Sequence, residues 1–241
     1  MIPIPRILRW KSFLCVRGFL RYCVGAANKG VANWTWARKG KNGRIFPQTI
    51  AHRGYKAAHP ENTFKAFQGA VKVGAHAIET DIHLTKDDVV VLSHDGDLKR
   101  CFGRKEKIID CDWDFISQLR TIKSPHEPMP RLDELLKYIA QPGLEDKWVL
   151  LDIKLDNNAE NVMRLIAETI KSVPANPARS WKDRIVLGVW AVKFIPLCQS
   201  YLPGFPISHI GFSTCYARQF LKVPNCSFNM YVFITSIKIY R

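Results

Sequence analysis

The chain has 241 residues, 47% of them apolar, and a formal net charge of +15. That apolar content excludes a disordered polymer and is enough for one large core or two small ones. No uncharged apolar run approaches the roughly 18–20 residues of a membrane-crossing helix, and the seven cysteines are scattered without CxxC spacing, which excludes a zinc or disulfide framework and points to free thiols in a reducing, intracellular compartment.

Charge is distributed unevenly. No Asp or Glu precedes Glu61, whereas Arg6, Arg9, Lys11, Arg17, Arg21, Lys29, Arg38, Lys39, Lys41 and Arg44 all do. Residues 1–46 are therefore set apart as a basic leader. Three readings stand side by side: an Arg-rich, acid-poor mitochondrial transit segment; an interfacial anchor whose Trp10, Phe13, Leu14, Phe19 and Leu20 dip into an anionic membrane or lipid-droplet surface; or a disordered stretch. A nucleic-acid partner is not expected, because the charge sits in the leader and no reader module follows it.

From Pro47 onward, strand-like and helix-like segments alternate. Thr49-Ile50-Ala51 reads as a short buried strand ending at His52. Asn62 or Thr63 caps a helix through Phe64, Phe67, Ala70 and Val71, which Gly74 stops. Ala77 to Ile82 is the second strand. Val89 to Leu92 is the third and leads to His94. Lys99 to Asp112 is an irregular insert, and Leu132, Leu135, Leu136 and Ile139 have helical spacing. Trp148 to Lys154 is a fourth strand, followed by a helix through Val162, Leu165, Ile166 and Ile170. Further strands are expected at 185–190, 207–212 and 226–230, with helices at 194–201 and 216–221. Apolar strands alternating with helices predict a parallel sheet covered by helices. Carboxylates at strand ends favour an α/β TIM-type (β/α)8 barrel over an open sheet. The barrel domain is expected over 47–230. It is expected to be incomplete at the C-terminus, because the atypical tail 231–241 reads as no further strand-helix unit.

Chemistry-bearing residues fall at the ends of these strands. Residues i and i+2 of a strand share a face, so Glu79 pairs with Asp81, and Asp152 with Lys154. Three carboxylates suit one hard divalent cation, Mg2+ or Ca2+, and a cation or Lys154 must offset their mutual repulsion. His52 and His94, at the ends of different strands, suit general acid and base roles. Arg53 suits bidentate phosphate binding, Gly54 a close backbone approach to phosphate, and Asp95 an orienting role beside His94. His59, His76, His83, His126 and His209 are read as structural or left unassigned.

The set His52-Arg53-Gly54, Pro60-Glu61-Asn62-Thr63, Glu79-x-Asp81 and His94-Asp95 resembles the glycerophosphodiester phosphodiesterase family. The match runs from Gln48 to about Met230. The resemblance implies a metal-dependent phosphoric diester hydrolase of lipid metabolism. In it His52 and His94 form the acid/base pair, Glu79 and Asp81 bind the metal, and Arg53 holds phosphate. Asp152-Ile153-Lys154 stands where the family usually has Glu-x-Lys, which makes Asp152 the third ligand. Tyr55-Lys56-Ala57, Trp181 to Ile185 and Gly188-Val189-Trp190 look closest to the fungal phosphatidylglycerol phospholipase C branch. The implied substrates are glycerophosphodiesters or phosphatidylglycerol, cleaved through a cyclic phosphate. The alternatives are a sphingomyelinase-D-like lyase, and a truncated, non-catalytic protein of the membrane surface.

Overall fold

The computed structural model describes residues 35, 37–40 and 42–231. Two short strands, β1 (Arg38–Lys39) and β2 (Ile45–Phe46), form an antiparallel ribbon. The ribbon belongs to the end of the acid-free segment, and Arg38 Nη1 reaches Asp146 Oδ2 at 3.4 Å. The rest of the expected leader and nearly all of the tail lie outside the described residues.

The body runs β3 (Ile50–His52), α1 (Phe64–Lys72), β4 (Ala77–Leu84), β5 (Val90–Leu92), α2 (Lys99–Phe102), α3 (Trp113–Ser117), α4 (Leu132–Ile139), β6 (Trp148–Ile153), α5 (Ala159–Ser172), β7 (Ile185–Val189), α6 (Phe194–Tyr201), β8 (Ile207–Gly211), α7 (Thr214–Ala217) and β9 (Cys226–Met230). Strands β3-β4-β6-β7-β8-β9 lie in that order, each parallel to the next. This is a partial (β/α)8-type barrel, as the alternation predicts. Among the described residues β3 and β9 do not pair with each other.

One expected barrel strand is corrected. β5 is not a parallel member of the series. It runs antiparallel to β4, with Ile82 opposite Leu92 and Leu84 opposite Val90. The connection is too short for the crossover that parallel pairing needs, so the chain turns back as a hairpin. Asp88 takes the left-handed conformation at φ 66° in that turn, which Asp tolerates better than most residues. The expected irregular insert also contains order: α2, and a 3-10 turn at Ile108–Asp110.

Strand faces alternate as pleating requires. Ile78 and Ile82 of β4 and Val149, Leu151 and Ile153 of β6 face the helices. There they meet Leu132, Leu135, Leu136 and Ile139 of α4 and Val162, Met163 and Ile166 of α5 in one core. The opposite face begins with a small apolar cluster, Ala77, Trp148, Leu150 and Val186. Above it, on the same face, come Glu79, Asp81 and Asp152. A third cluster, Val91, Leu98, Ile108, Cys111, Ile116 and Met129, supports the insert. At the opposite end of the barrel the buried Arg184 donates to the carbonyls of Lys147 at 2.9 Å and Leu144 at 2.7 Å.

Thr63, not Asn62, caps α1, with its hydroxyl accepting from Ala66 N. Gly74 ends that helix region at φ +84°. Gly54 is also required by the local backbone. It sits at φ +73°, and a Cβ there would lie 2.7 Å from the Ala66 carbonyl carbon. Gly54→Ala is therefore expected to cost about 2–4 kcal/mol, the sum of the left-handed penalty and a clash with helix backbone. Urea denaturation would read this as a lower midpoint at unchanged slope.

Candidate active site

The site is built on the C-terminal ends of β3, β4 and β6. Register sets Asp81 beside Asp152 and His52 beside Glu79. Ligand oxygens of Glu79, Asp81 and Asp152 all lie within 4.8 Å of one another, and the three residues are buried. Burial and the Asp81 and Asp152 charges push the Glu79 carboxyl well above its ordinary range. Burial also raises Asp152, against the pull of Lys154. The cost of gathering these groups is visible in those shifts, and it calls for positive charge.

Lys154, just past β6, meets part of that need. Its Nζ lies 2.7 Å from Asp152 Oδ2 and 2.6 Å from Asp81 Oδ1. Burial alone would lower its basicity, but the two carboxylates outweigh burial and raise it. The ammonium thus sits between the two aspartates as an ion pair to each. An all-oxygen set of three buried carboxylates fits a hard divalent cation. The shorter Asp at 152 does not prevent the cluster from forming.

The loop after β3 is held in an unusual backbone conformation. Arg53 and Asn62 are both left-handed, at φ 60° and 52°. Such outliers persist only where neighbours over-determine them. Here the Arg53 amide donates to Glu79 Oε2 at 2.8 Å, and the Asn62 amide donates to the Arg53 carbonyl at 3.0 Å. The Asn62 side chain donates to Asp81 Oδ2 at 2.8 Å and accepts from Thr80 Oγ1 at 2.8 Å. Arg53 Nε lies 3.6 Å from Asp81 Oδ2, which places its guanidinium beside the carboxylates.

His52 Nε2 lies 3.8 Å from Glu79 Oε2, and its Nδ1 is 2.9 Å from Lys56 Nζ. Burial, then the Lys56 and Arg53 charges, lower His52 to about 4, with a further small push from His94. The imidazole is neutral near pH 7. His94, two residues after β5, places Nδ1 2.7 Å from Asp95 Oδ1, the orienting contact expected of Asp95. His94 and Lys154 line one open cavity of about 300 Å3, together with His83, Gly96, Asp156 and Trp190.

The predicted residues thus gather at one rim, and the structure adds Asn62, Trp190, Glu61 and Arg100, to which the sequence assigns no role in the site. Asn62, a candidate helix cap and a member of the Pro60-Glu61-Asn62-Thr63 motif, turns its side chain to Asp81. Trp190, read as a strand end, donates Nε1 to Asp152 Oδ1 at 2.6 Å. Its signal was the i+2 spacing from Gly188, which stands opposite Asp152. Glu61 and Arg100 join the rim through ion pairs, and no spacing rule points to Arg100. The other histidines have structural partners. His76 Nδ1 accepts from Thr49 N, His126 Nδ1 meets the Thr121 carbonyl, and His209 stacks on Phe220 at 4.0 Å. His83 contacts Asp156 at 3.4 Å on the cavity wall. Cys101, Cys111, Cys198, Cys215 and Cys226 are free thiols.

Among the described residues no helix is long and apolar enough to cross a membrane. The human protein lysophospholipase D is 31% identical to this chain over 142 residues, 54% of this chain and 43% of its own length. A glycerophosphodiester phosphodiesterase of Bacillus altitudinis is 35% identical over 114 residues, 45% of each. The chain spans less than half the length of these relatives. A solved phosphodiesterase of Oleispira antarctica, in complex with the product sn-glycerol-3-phosphate, shares the fold with a TM-score of 0.60 at 21% identity, over 72% of this chain and 70% of that one. The model of the Glycerophosphoryl diester phosphodiesterase family matches residues 52–239, a span that holds every rim residue described above. The chain belongs to that family.

Proposed function

We propose that this chain is a metal-dependent phosphodiesterase that cleaves glycerophosphodiesters or lysophospholipids at the β3–β4–β6 rim. The observation that carries this reading is the register that sets Asp81 beside Asp152, with Glu79 within 4.8 Å and Lys154 between them. Glu79, Asp81 and Asp152 would hold one divalent cation, Mg2+ or Ca2+, which supplies Lewis-acid polarisation of a phosphoryl oxygen. Arg53 and Lys154 offset charge developing on the other phosphoryl oxygens. The neutral His52 is suited to take the proton from the 2-hydroxyl of the substrate's glycerol as that oxygen bonds to phosphorus. His94, oriented by Asp95, is suited to protonate the alcohol as its bond to phosphorus breaks. Water then opens the cyclic phosphate, breaking the bond to the 2-oxygen and leaving a phosphate monoester.

The finer substrate reading draws on the relatives' names and on the resemblance to the fungal branch. Glycerophosphocholine, lysophosphatidylcholine and phosphatidylglycerol are its three arms. The basic first 46 residues suit an anionic lipid surface, which favours the lipid arms. The test is hydrolysis of each substrate with Mg2+ or Ca2+ against EDTA, followed by 31P NMR. A phosphate monoester as end product is expected. Either cation should also raise Tm, by linkage to the folded state. A cyclic phosphate that never opens would favour the lyase. No hydrolysis and no Tm response to either cation would sink the proposal.

A further inference from the structure

A chain of ion pairs crosses the rim beside the carboxylate cluster. Arg53 Nη1 lies 2.9 Å from Glu61 Oε1, and Arg100 Nη2 lies 2.7 Å from the same oxygen. Arg100 Nε lies 2.6 Å from Asp95 Oδ2, and Asp95 Oδ1 meets His94 Nδ1 at 2.7 Å. The chain therefore runs unbroken from the proposed phosphate binder to one of the two proposed acid/base groups. Arg100 is its central link, and it comes from α2, in the insert rather than the barrel.

We propose that Arg100 is a positioning residue, which fixes the orientation and tautomer of His94 through Asp95 and couples both to Arg53 through Glu61. The guanidinium suits the task because it is a rigid planar fork, here meeting two carboxylates with two different nitrogens, which an ammonium cannot reproduce in one geometry. An ionised Asp95 accepts from Nδ1–H of His94 and leaves Nε2 as the nitrogen able to exchange a proton with substrate. Burial works against ionisation of Asp95, but the hydrogen bonds from Arg100 and His94 outweigh it and hold the carboxyl at about 2. Glu61 is held at about 2 in the same way, by Arg100 and Arg53 against burial.

The backbone that aims Arg100 is fixed. Leu98, at the start of α2, is fully buried in the satellite core, and Gly103 closes the helix in the left-handed conformation, donating to the Lys99 carbonyl at 3.1 Å. The Arg100 side chain itself is about half exposed (48%). Surface ion pairs of that kind add little stability, so a functional effect can be read without unfolding the protein.

The kinetic part of this inference rests on the phosphodiesterase reading, and the spectroscopic part does not. Arg100→Gln and Arg100→Lys are made in the full chain and assayed on glycerophosphocholine with Mg2+. Arg100→Gln is expected to lower kcat about 10–100-fold, as misplacement of a catalytic group does, with KM held within about twofold. Arg100→Lys should recover part of that loss. In 15N-histidine NMR at alkaline pH, where imidazoles are neutral, His94 should show a single Nδ1–H tautomer in the parent chain and a mixture in Arg100→Gln. Wild-type kcat with an unchanged tautomer would overturn the proposal. So would a raised KM at unchanged kcat, which would make Arg100 a substrate-binding group. If the parent chain is inactive, the function reading fails and the tautomer comparison alone decides. If Arg100→Gln does not fold, the same comparison is made in Arg100→Lys and Asp95→Asn, where an unchanged tautomer overturns the proposal and a mixture supports it.

Discussion

Replacing His52 or His94 with alanine is expected to lower turnover about 10²–10⁴-fold, the contribution of a positioned acid or base. Folding should be nearly untouched. The two side chains are 35% and 36% exposed, and substitutions at such positions usually move stability by less than about 0.5 kcal/mol. The two losses should not multiply in the double variant, because the two groups serve one proton-transfer sequence. Turnover numbers and Tm for the two single variants and the double variant check this. Parent-level activity in either single variant, or a collapse of Tm alongside the loss, would remove that histidine from the mechanism.

Lys154→Met is expected to produce the largest change in stability. Its ammonium is the cation that touches both Asp81 and Asp152, and its side chain is only 14% exposed. Removing one partner from a buried charge group typically costs about 3–5 kcal/mol, because the remaining charges stay buried and uncompensated. For a chain of this size that corresponds to a fall in Tm of about 6–20 °C in EDTA. Part of the fall will be recovered as the carboxylates take up protons, so the loss should shrink at lower pH. A divalent cation should raise the Tm of Lys154→Met more than that of the parent chain, since it restores the missing positive charge. An unchanged Tm in EDTA would contradict the compensation argument. A cation response no larger than the parent's would contradict the proposed metal site.

Much of this molecule is written in short-range pattern. The face shared by Glu79 and Asp81, and by Asp152 and Lys154, follows from a period of two, and the apolar runs place the strands to within a residue or two. Strand direction is a different matter. Val90 to Leu92 is apolar whichever way it runs, and only the short turn before it marks it as a hairpin partner of β4. Arg100 lies in a stretch with no periodicity, so its role depends on a fold that brings α2 over Glu61 and Asp95. Sequence leaves the cap open between Asn62 and Thr63, because a good helix-capping residue is also a good left-handed residue. The neighbouring Thr63 took the cap, and Asn62 turned inward to Asp81.

The pairing of β4 with β6 has a consequence in time as well as space. A chain emerging from a ribosome exposes His52, Glu79, Asp81 and His94 before Asp152 and Lys154 have been made. Until β6 arrives, Glu79 and Asp81 lack the Lys154 ammonium, and the β4–β5 hairpin has one edge open. Non-local parallel pairing is intrinsically slow. The same strand pairing that closes the core against α4 and α5 also brings Asp152 and Lys154 to Glu79 and Asp81, so core and carboxylate cluster are completed together.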